Sequence, residues 1–135
     1  MPPRPERQPD HKQSLGAAGE DLAAAYLEAR GYRIVERNYR RRWGEADIIA
    51  LDSDGTHVIV EVRSRSDRRY AVEAAQSIGP RKQRQLRRLA HGLLSEQEVE
   101  FDIRVDVMII APDDRGRLTV VAHIADAIED GPFDD

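Results

Sequence analysis

The first apolar pattern along the chain has helical spacing. From Ser14 to Gly31, apolar side chains recur every three or four positions, which predicts a helix with Ser14 as its N-cap and Gly31 as its C-terminal stop. A second helical pattern opens at Pro80, a favourable first-turn residue, and continues to about Leu94. The pattern therefore predicts two amphipathic helices that are far apart in sequence.

The remaining apolar segments are short and are separated by turn signals such as Ser53-Asp54-Gly55, which predicts strands. The predicted strands span residues 32–38, 44–52, 57–64, 104–111 and 118–122. A helix joins the third strand to the fourth, which implies that these two are parallel and that the sheet is mixed. Residues 65–77 are predicted to form a loop with a short helical turn at 70–75, and residues 124–128 a closing helical turn. The predicted order is α-β-β-β-α-β with an extra strand, an α/β fold.

Three charged residues stand out on the second and third strands. Glu61 and Arg63 share one face of the third strand, because side chains alternate along a strand. If the second strand pairs with it as a hairpin, Asp47 lies beside Glu61. One interpretation is a divalent-metal site, since hard cations such as Mg²⁺ prefer carboxylate oxygens. The other is an arginine–carboxylate pair on a solvated sheet face, and the residues alone favour neither.

Two other features are assigned to the fold. Asp106 lies in the fourth strand, where a buried hydrogen bond is a better explanation than a ligand role. The segment Gly16-Ala17-Ala18-Gly19 lacks the spacing and the preceding strand of a nucleotide-binding loop. Its small residues instead allow close packing of the helix on the sheet.

Composition narrows the class of protein. A length of 135 residues, 40% of them hydrophobic and 34% charged, is typical of one soluble globular domain. The absence of cysteine excludes disulfides, thiolate metal sites and a cysteine nucleophile. With no apolar run of membrane-spanning length, we expect no membrane partner and a cytoplasmic location. We expect a disordered segment at 1–13, one domain at 14–129 and an acidic tail at 130–135.

The net charge of −4 hides an uneven distribution. Residues 1–94 carry 18 basic and 13 acidic side chains, whereas residues 95–135 carry 3 and 12. Arginines near aromatic residues suit phosphate and base recognition. A solvated surface in an arginine-rich chain explains any single cluster better, but for three clusters flanking the acidic residues the two interpretations are about equal. Three clusters stand out: Arg37, Arg40, Arg41 and Arg42; Arg63, Arg65, Arg68 and Arg69; and Arg81, Lys82, Arg84, Arg87 and Arg88.

A set of short motifs occurs in a fixed order. They are Gly16-Ala17-Ala18-Gly19-Glu20, Gly31-Tyr32, Gly44-Glu45-Ala46-Asp47-Ile48-Ile49, Val60-Glu61-Val62-Arg63-Ser64-Arg65, Arg104-Val105-Asp106-Val107 and His123-Ile124. Through them the chain resembles the YraN-type family of small, uncharacterised bacterial proteins. That family in turn resembles the restriction-endonuclease superfamily, with its PD-(D/E)XK active-site pattern, and within it the archaeal Holliday-junction resolvases. The resemblance implies a restriction-endonuclease-like fold.

The resemblance also implies roles for individual residues. Glu20 becomes an outer carboxylate, Asp47 and Glu61 become ligands of Mg²⁺ or Mn²⁺, and Val62 offers its backbone carbonyl to the metal. The lysine of the pattern falls on Arg63, which stays protonated and cannot act as a base but can stabilise charge on a phosphate. The implied catalytic residues are thus Glu20, Asp47, Glu61 and Arg63.

Lys82, near the start of the second helix, is a candidate for the vacant lysine role, although a phosphate contact or a plain surface position explains it more simply. The resemblance implies a metal-dependent endonuclease acting on DNA, with branched or damaged DNA as candidate substrates, and a homodimer of the resolvase kind. The alternative is a catalytically inactive nucleic-acid-binding or partner-binding protein that retains the fold. The nucleic-acid-binding candidates are Arg40, Arg41, Arg42, Arg65, Arg68, Arg69, Lys82 and Arg84.

Overall fold

The elements of the computed structural model follow the order α-β-β-β-α-β-β, which confirms the predicted α/β architecture. The structure describes residues 11–67, 69, 78–96 and 100–128. Within these ranges, the elements are α1 (His11–Ala29), β1 (Arg33–Arg41), β2 (Gly44–Leu51), β3 (His57–Ser64), α2 (Pro80–Glu96), β4 (Ile103–Pro112) and β5 (Leu118–Ile124).

The five strands form one mixed sheet in the order β1-β2-β3-β4-β5. β3 and β4 are parallel, as predicted from the helix between them, with Ile59 opposite Val105. The other three pairings are antiparallel. Parallel strands need a long crossover to return the chain to the same sheet edge, and α2 lies on that connection.

Within the described ranges, one helix packs on each face of the sheet. Ala23 and Leu27 of α1 pack against Ile48, Val60 and other side chains on one face. On the opposite face, the apolar stripe of α2 packs against another set of buried strand residues, including Tyr39, Ile49, Ile59 and Val105. Because the two faces of a strand alternate, β2 and β3 contribute to both layers of the core.

Gly19 brings α1 close to the end of β3. It is buried, and a Cβ atom at this position would overlap the Ser64 hydroxyl. Close packing of α1 on the sheet is therefore confirmed at Gly19, whereas Gly16, Ala17 and Ala18 are exposed. The next residue of α1 is Glu20, so this contact also fixes a carboxylate beside the sheet.

Several element boundaries differ from the sequence predictions: β1 continues to Arg41 rather than residue 38, and β5 to Ile124 rather than residue 122. α1 begins at His11, so Ser14 lies inside the helix; residues 11–13 contain no glycine or proline that would stop it. Residues 125–128 form no helical turn, because β5 keeps pairing with β4 as far as Ile124. The predicted turn at 70–75, residues 1–10 of the predicted disordered segment and the tail at 130–135 lie outside the described residues. In the described part of the chain, neither helix combines the length and apolar character needed to cross a membrane.

Candidate functional site

Asp47 sits where the regular pairing of β2 with β3 ends. The ladder runs from the Leu51–His57 pair to the Ile48–Val60 pair. One residue beyond it, an Asp47 carboxylate oxygen (Oδ2) accepts a hydrogen bond of 2.8 Å from the backbone N–H of Val62. The carboxylate thus takes the place of a backbone carbonyl at the end of the sheet.

The alternation of side chains along β2 breaks at the same point. Ile48 packs in the α1 layer, whereas Ala46 packs in the α2 layer, although a regular strand would put both on one face. Asn38, which faces Asp47 by continuation of the β1–β2 register, has a left-handed backbone with φ of 52°. The irregularity places Asp47 between the two layers rather than within either.

A pocket of about 200 Å³ opens at this end of the sheet. Both helices contribute to its walls, α1 through Glu20 and α2 through Lys82. Asp47 and Glu61 line it from the two central strands. The pocket therefore brings together the three carboxylates implied by the family resemblance, and its other lining residues are Asn38, Tyr39, Arg40, Glu45, Ala46, Ile59, Val60 and Leu86.

Glu61 is only partly compensated by the cations around it. Its Oε1 atom lies 3.4 Å from the ammonium nitrogen of Lys82 and 3.8 Å from Nε of Arg63. Its Oε2 atom is buried and has no hydrogen-bond partner among the residues that the structure describes. A buried acceptor without a donor is costly, so this oxygen is suited to a ligand that the protein itself does not supply.

The pKa of Glu20 is affected by the negative charge in the pocket. Burial raises the pKa of this carboxyl above its ordinary value, and the negative charge of Asp47 raises it further. The nearby cation Arg37 opposes this effect, but it is paired with the exposed Asp21 at 2.7 Å. The cations near the pocket therefore do not balance the negative charge of its carboxylates.

The donor set fits a hard divalent cation that keeps part of its hydration shell. Among the residues that the structure describes, no three His, Cys, Asp or Glu side chains are grouped as a complete metal-binding cluster. Mg²⁺ does not require one, since it commonly uses one or two carboxylates together with water and substrate phosphates. Asp47 and Glu61, with the unbonded Oε2 of Glu61, match that smaller set.

Lys82 and Arg63 occupy different positions relative to this pocket. Both are close to Glu61, but the lysine is the nearer and lines the pocket, whereas Arg63 lies outside its lining. Arg63 comes from the same strand as Glu61, while Lys82 reaches the carboxylate from α2. The lysine on the second helix is therefore in contact with the carboxylate of the pattern.

The first basic cluster does not form one surface. Arg40 lines the carboxylate pocket and Arg42 lines a neighbouring cleft. Arg41 is turned to the protein: its guanidinium binds Glu36 at 3.2 Å and Glu96 at 2.8 Å. These ion pairs raise the pKa of Arg41 above its usual range and occupy its donors.

The other nucleic-acid-binding candidates are also dispersed. An Arg65 guanidinium nitrogen donates to the backbone carbonyl of Ser64, and Arg69 pairs with Asp67 at 2.8 Å. Arg84 is exposed on α2. Arg68 lies outside the described residues.

A second carboxylate cluster was only partly visible in the sequence. Asp106 is fully buried, which confirms its structural role, and it binds Arg104, His123 and the backbone N–H of Asp126. Arg104 also binds Asp52 at 2.7 Å and the Tyr32 hydroxyl at 2.6 Å. An aspartate in an apolar strand was the one sequence signal, since its partners come from distant segments.

Comparisons with known proteins agree on one family. Residues 19–110 match the uncharacterised protein family UPF0102. A UPF0102 protein from Desulforamulus reducens is 41% identical over 119 residues, covering 87% of this chain and 97% of that protein. A second, from Corynebacterium efficiens, is 42% identical over 120 residues, covering 89% and 95%. A third, from Prosthecochloris aestuarii, is 44% identical over 120 residues, covering 84% and 91%.

One solved structure is also similar, at a lower level. It is that of Pyrococcus furiosus SfsA in complex with Ca²⁺, with a TM-score of 0.43 and 16% sequence identity. The match covers 84% of this chain and 64% of SfsA, so this chain corresponds to less than two thirds of that protein.

Proposed function

This chain belongs to the uncharacterised protein family UPF0102, and we propose that it is a divalent-cation-dependent endonuclease that hydrolyses phosphodiester bonds in DNA. The observation that carries the proposal is the buried, unbonded Oε2 of Glu61 in the pocket that also holds Asp47, Glu20 and Lys82. An anionic site beside a lysine is suited to a cation and a phosphate together.

Each residue of the pocket has a role in this proposal. Asp47, Glu61 and the backbone carbonyl of Val62 would hold Mg²⁺ or Mn²⁺. Such a cation would lower the pKa of a water molecule and neutralise charge on the phosphate. Lys82 contacts the phosphate oxygens, and Glu20 is suited to take a proton from water because its pKa is raised.

A second candidate function is nucleic-acid binding without cleavage. The observation that favours it is Arg63, which occupies the place of the lysine in the family pattern and stays protonated. In that case the fold and the basic residues serve recognition alone, and no cation is needed at the carboxylates.

The deciding experiment is a cleavage assay with purified protein on linear, single-stranded and branched DNA. We expect slow cleavage that requires Mg²⁺ or Mn²⁺ and disappears with a chelator. Asp47→Ala should abolish cleavage while leaving DNA binding equal or tighter, because it removes a negative charge facing the phosphate. Wild-type protein that binds but cuts none of these substrates would favour the second candidate.

Two further substitutions identify the cation that acts on the phosphate. Since Lys82 lines the pocket and Arg63 does not, we expect Lys82→Ala to reduce the cleavage rate severely and Arg63→Lys to change it little. If Arg63→Lys increased the cleavage rate and Lys82→Ala cleaved near the wild-type rate, the residue that acts on the phosphate would be the one at position 63 of β3. Exposed Arg81→Ala, at the start of the same helix, is the control for loss of one positive charge.

A further inference from the structure

A second cleft adjoins the carboxylate pocket. It encloses about 330 Å³ between the β1–β2 turn and α2. Lys82, Leu86 and Glu45 line both cavities, so the two lie side by side. Three of its lining side chains are cationic, Arg42 from the turn and Lys82 and Arg88 from α2, against one acidic side chain, Glu45.

The position of the basic residues of α2 along the cleft follows from the periodicity of the helix. Lys82, Gln85 and Arg88 are three residues apart, which places them on successive turns along one side of the helix. In the described part of the chain, Arg42 and Arg88 make no ion pair or side-chain hydrogen bond, unlike Arg41. Their donors are therefore available to an anion in the cleft.

Trp43 fixes the distance between the two walls. Its indole N–H donates to the Tyr39 hydroxyl at 3.0 Å, and that hydroxyl donates to Glu96 near the end of α2. The indole ring lies against Gly92, where a Cβ atom would overlap it. The turn and the helix are thus held together by a partly buried contact, and a preformed site loses less entropy on binding.

We infer that this cleft binds a phosphate of the same nucleic-acid strand that enters the carboxylate pocket, next to the phosphate held there. The inference rests on the proposed nucleic-acid substrate but not on cleavage. The charge distribution sets the direction: Glu20 of α1 repels phosphate on one side of the pocket, whereas Arg42 and Arg88 attract it on the other. The strand therefore leaves the pocket along α2.

The test is binding of a fluorescently labelled single-stranded oligodeoxythymidylate, followed by anisotropy in chelator across a range of salt concentrations. In the double variant Arg42→Gln/Arg88→Gln, we expect weaker binding and a log–log salt slope smaller by about 0.7 for each phosphate that the variant no longer neutralises. The matched control is Arg33→Gln/Arg115→Gln, which removes two charges from exposed positions outside both cavities and should keep the wild-type slope.

A neutral substitution tests the fixed wall. Gly92→Ala should displace the only tryptophan of the chain, shift its emission to longer wavelength and weaken oligonucleotide binding without changing any charge. Gly16→Ala, the same change at an open position of α1, should alter neither property.

The outcomes separate this inference from the proposed function. Selective loss of binding in the double variant supports the cleft, whether or not the wild-type protein cleaves DNA. Equal slopes in the double variant and its control would overturn the inference even if cleavage is observed, as would undetectable binding of wild-type protein at low salt. Thermal melting of every variant establishes that it is folded; should the double variant not fold, Arg88→Gln alone carries the same comparison.

Discussion

Two clusters of carboxylates lie along the same sheet, and the fold shifts the pKa of one carboxyl in each cluster in opposite directions. Asp106 is fully buried, yet hydrogen bonds from His123, Arg104 and the N–H of Asp126 outweigh the effect of burial and hold its pKa below the ordinary value. In the carboxylate pocket, burial and Asp47 hold the pKa of Glu20 above its ordinary value. The fold thus favours the ionised form of Asp106 and disfavours that of Glu20.

The difference lies in partners rather than in burial. Asp106 has a guanidinium at 3.0 Å and an imidazole at 2.8 Å, so its charge is satisfied within the chain. Glu61 has its nearest cation at 3.4 Å and leaves one buried oxygen without a donor. A buried carboxylate whose hydrogen bonds are all made within the chain stabilises the fold, whereas one that lacks a donor is a candidate for binding a ligand.

The largest expected effect tests the satisfied cluster. Asp106→Ala should lower the free energy of unfolding by about 3–5 kcal/mol, because it removes the buried carboxylate that pairs with both Arg104 and His123. Urea denaturation at neutral pH measures the change. Asp114→Ala, at an exposed turn position, should change it by less than about 0.5 kcal/mol. Similar small losses in both variants would show that Asp106 is not the centre of the network.

A divalent cation should distinguish the clusters by stabilising the unsatisfied one. At a Mg²⁺ concentration of about 100 times its dissociation constant, the free energy of unfolding of the wild-type protein should rise by about 2.7 kcal/mol. Thermal melting with and without Mg²⁺ measures this rise, and Asp47→Asn should remove it. Equal stabilisation of the Asp47→Asn protein would place the cation elsewhere.

The smallest expected effect is the pH dependence of the free energy of unfolding, to which Glu20 and Asp106 contribute with opposite signs. The raised pKa of Glu20 means that its ionisation opposes folding; this penalty is full above the folded pKa and absent below the unfolded value near 4.5. Asp106 stabilises the fold above its unfolded value near 3.8, and this contribution is lost as the pH falls through its lower folded pKa.

Glu20→Gln isolates the first of these effects. Without added metal, the variant should be more stable than wild type at pH 7, and the difference should vanish near pH 4. Melting temperatures at the two pH values measure it. A variant that is less stable at pH 7 and unchanged at pH 4 would mean that the ionised Glu20 is stabilised by the fold, contrary to the charge accumulation described above.

The arrangement of the candidate site was partly predictable. The second and third strands pair as expected, and Asp47, Glu61 and Glu20 line one pocket. The break in alternation at Asp47 was not predictable, because it depends on how β1 and β2 pack between two helices. The dispersal of the arginines was also not predictable from the sequence, because Arg41 contacts Glu96 only when α2 is packed against the sheet.

The sequence by itself determined the order of the elements, the parallel pair and the faces that become the core. These follow from local periodicity and chain connectivity, which are properties of neighbouring residues. Only the tertiary structure decided which charges are satisfied. Asp106 meets His123 across adjacent strands, and Lys82 reaches Glu61 from a separate helix at 3.4 Å. Such contacts depend on strand register and helix position, and those are set by packing of the whole core rather than by any local pattern.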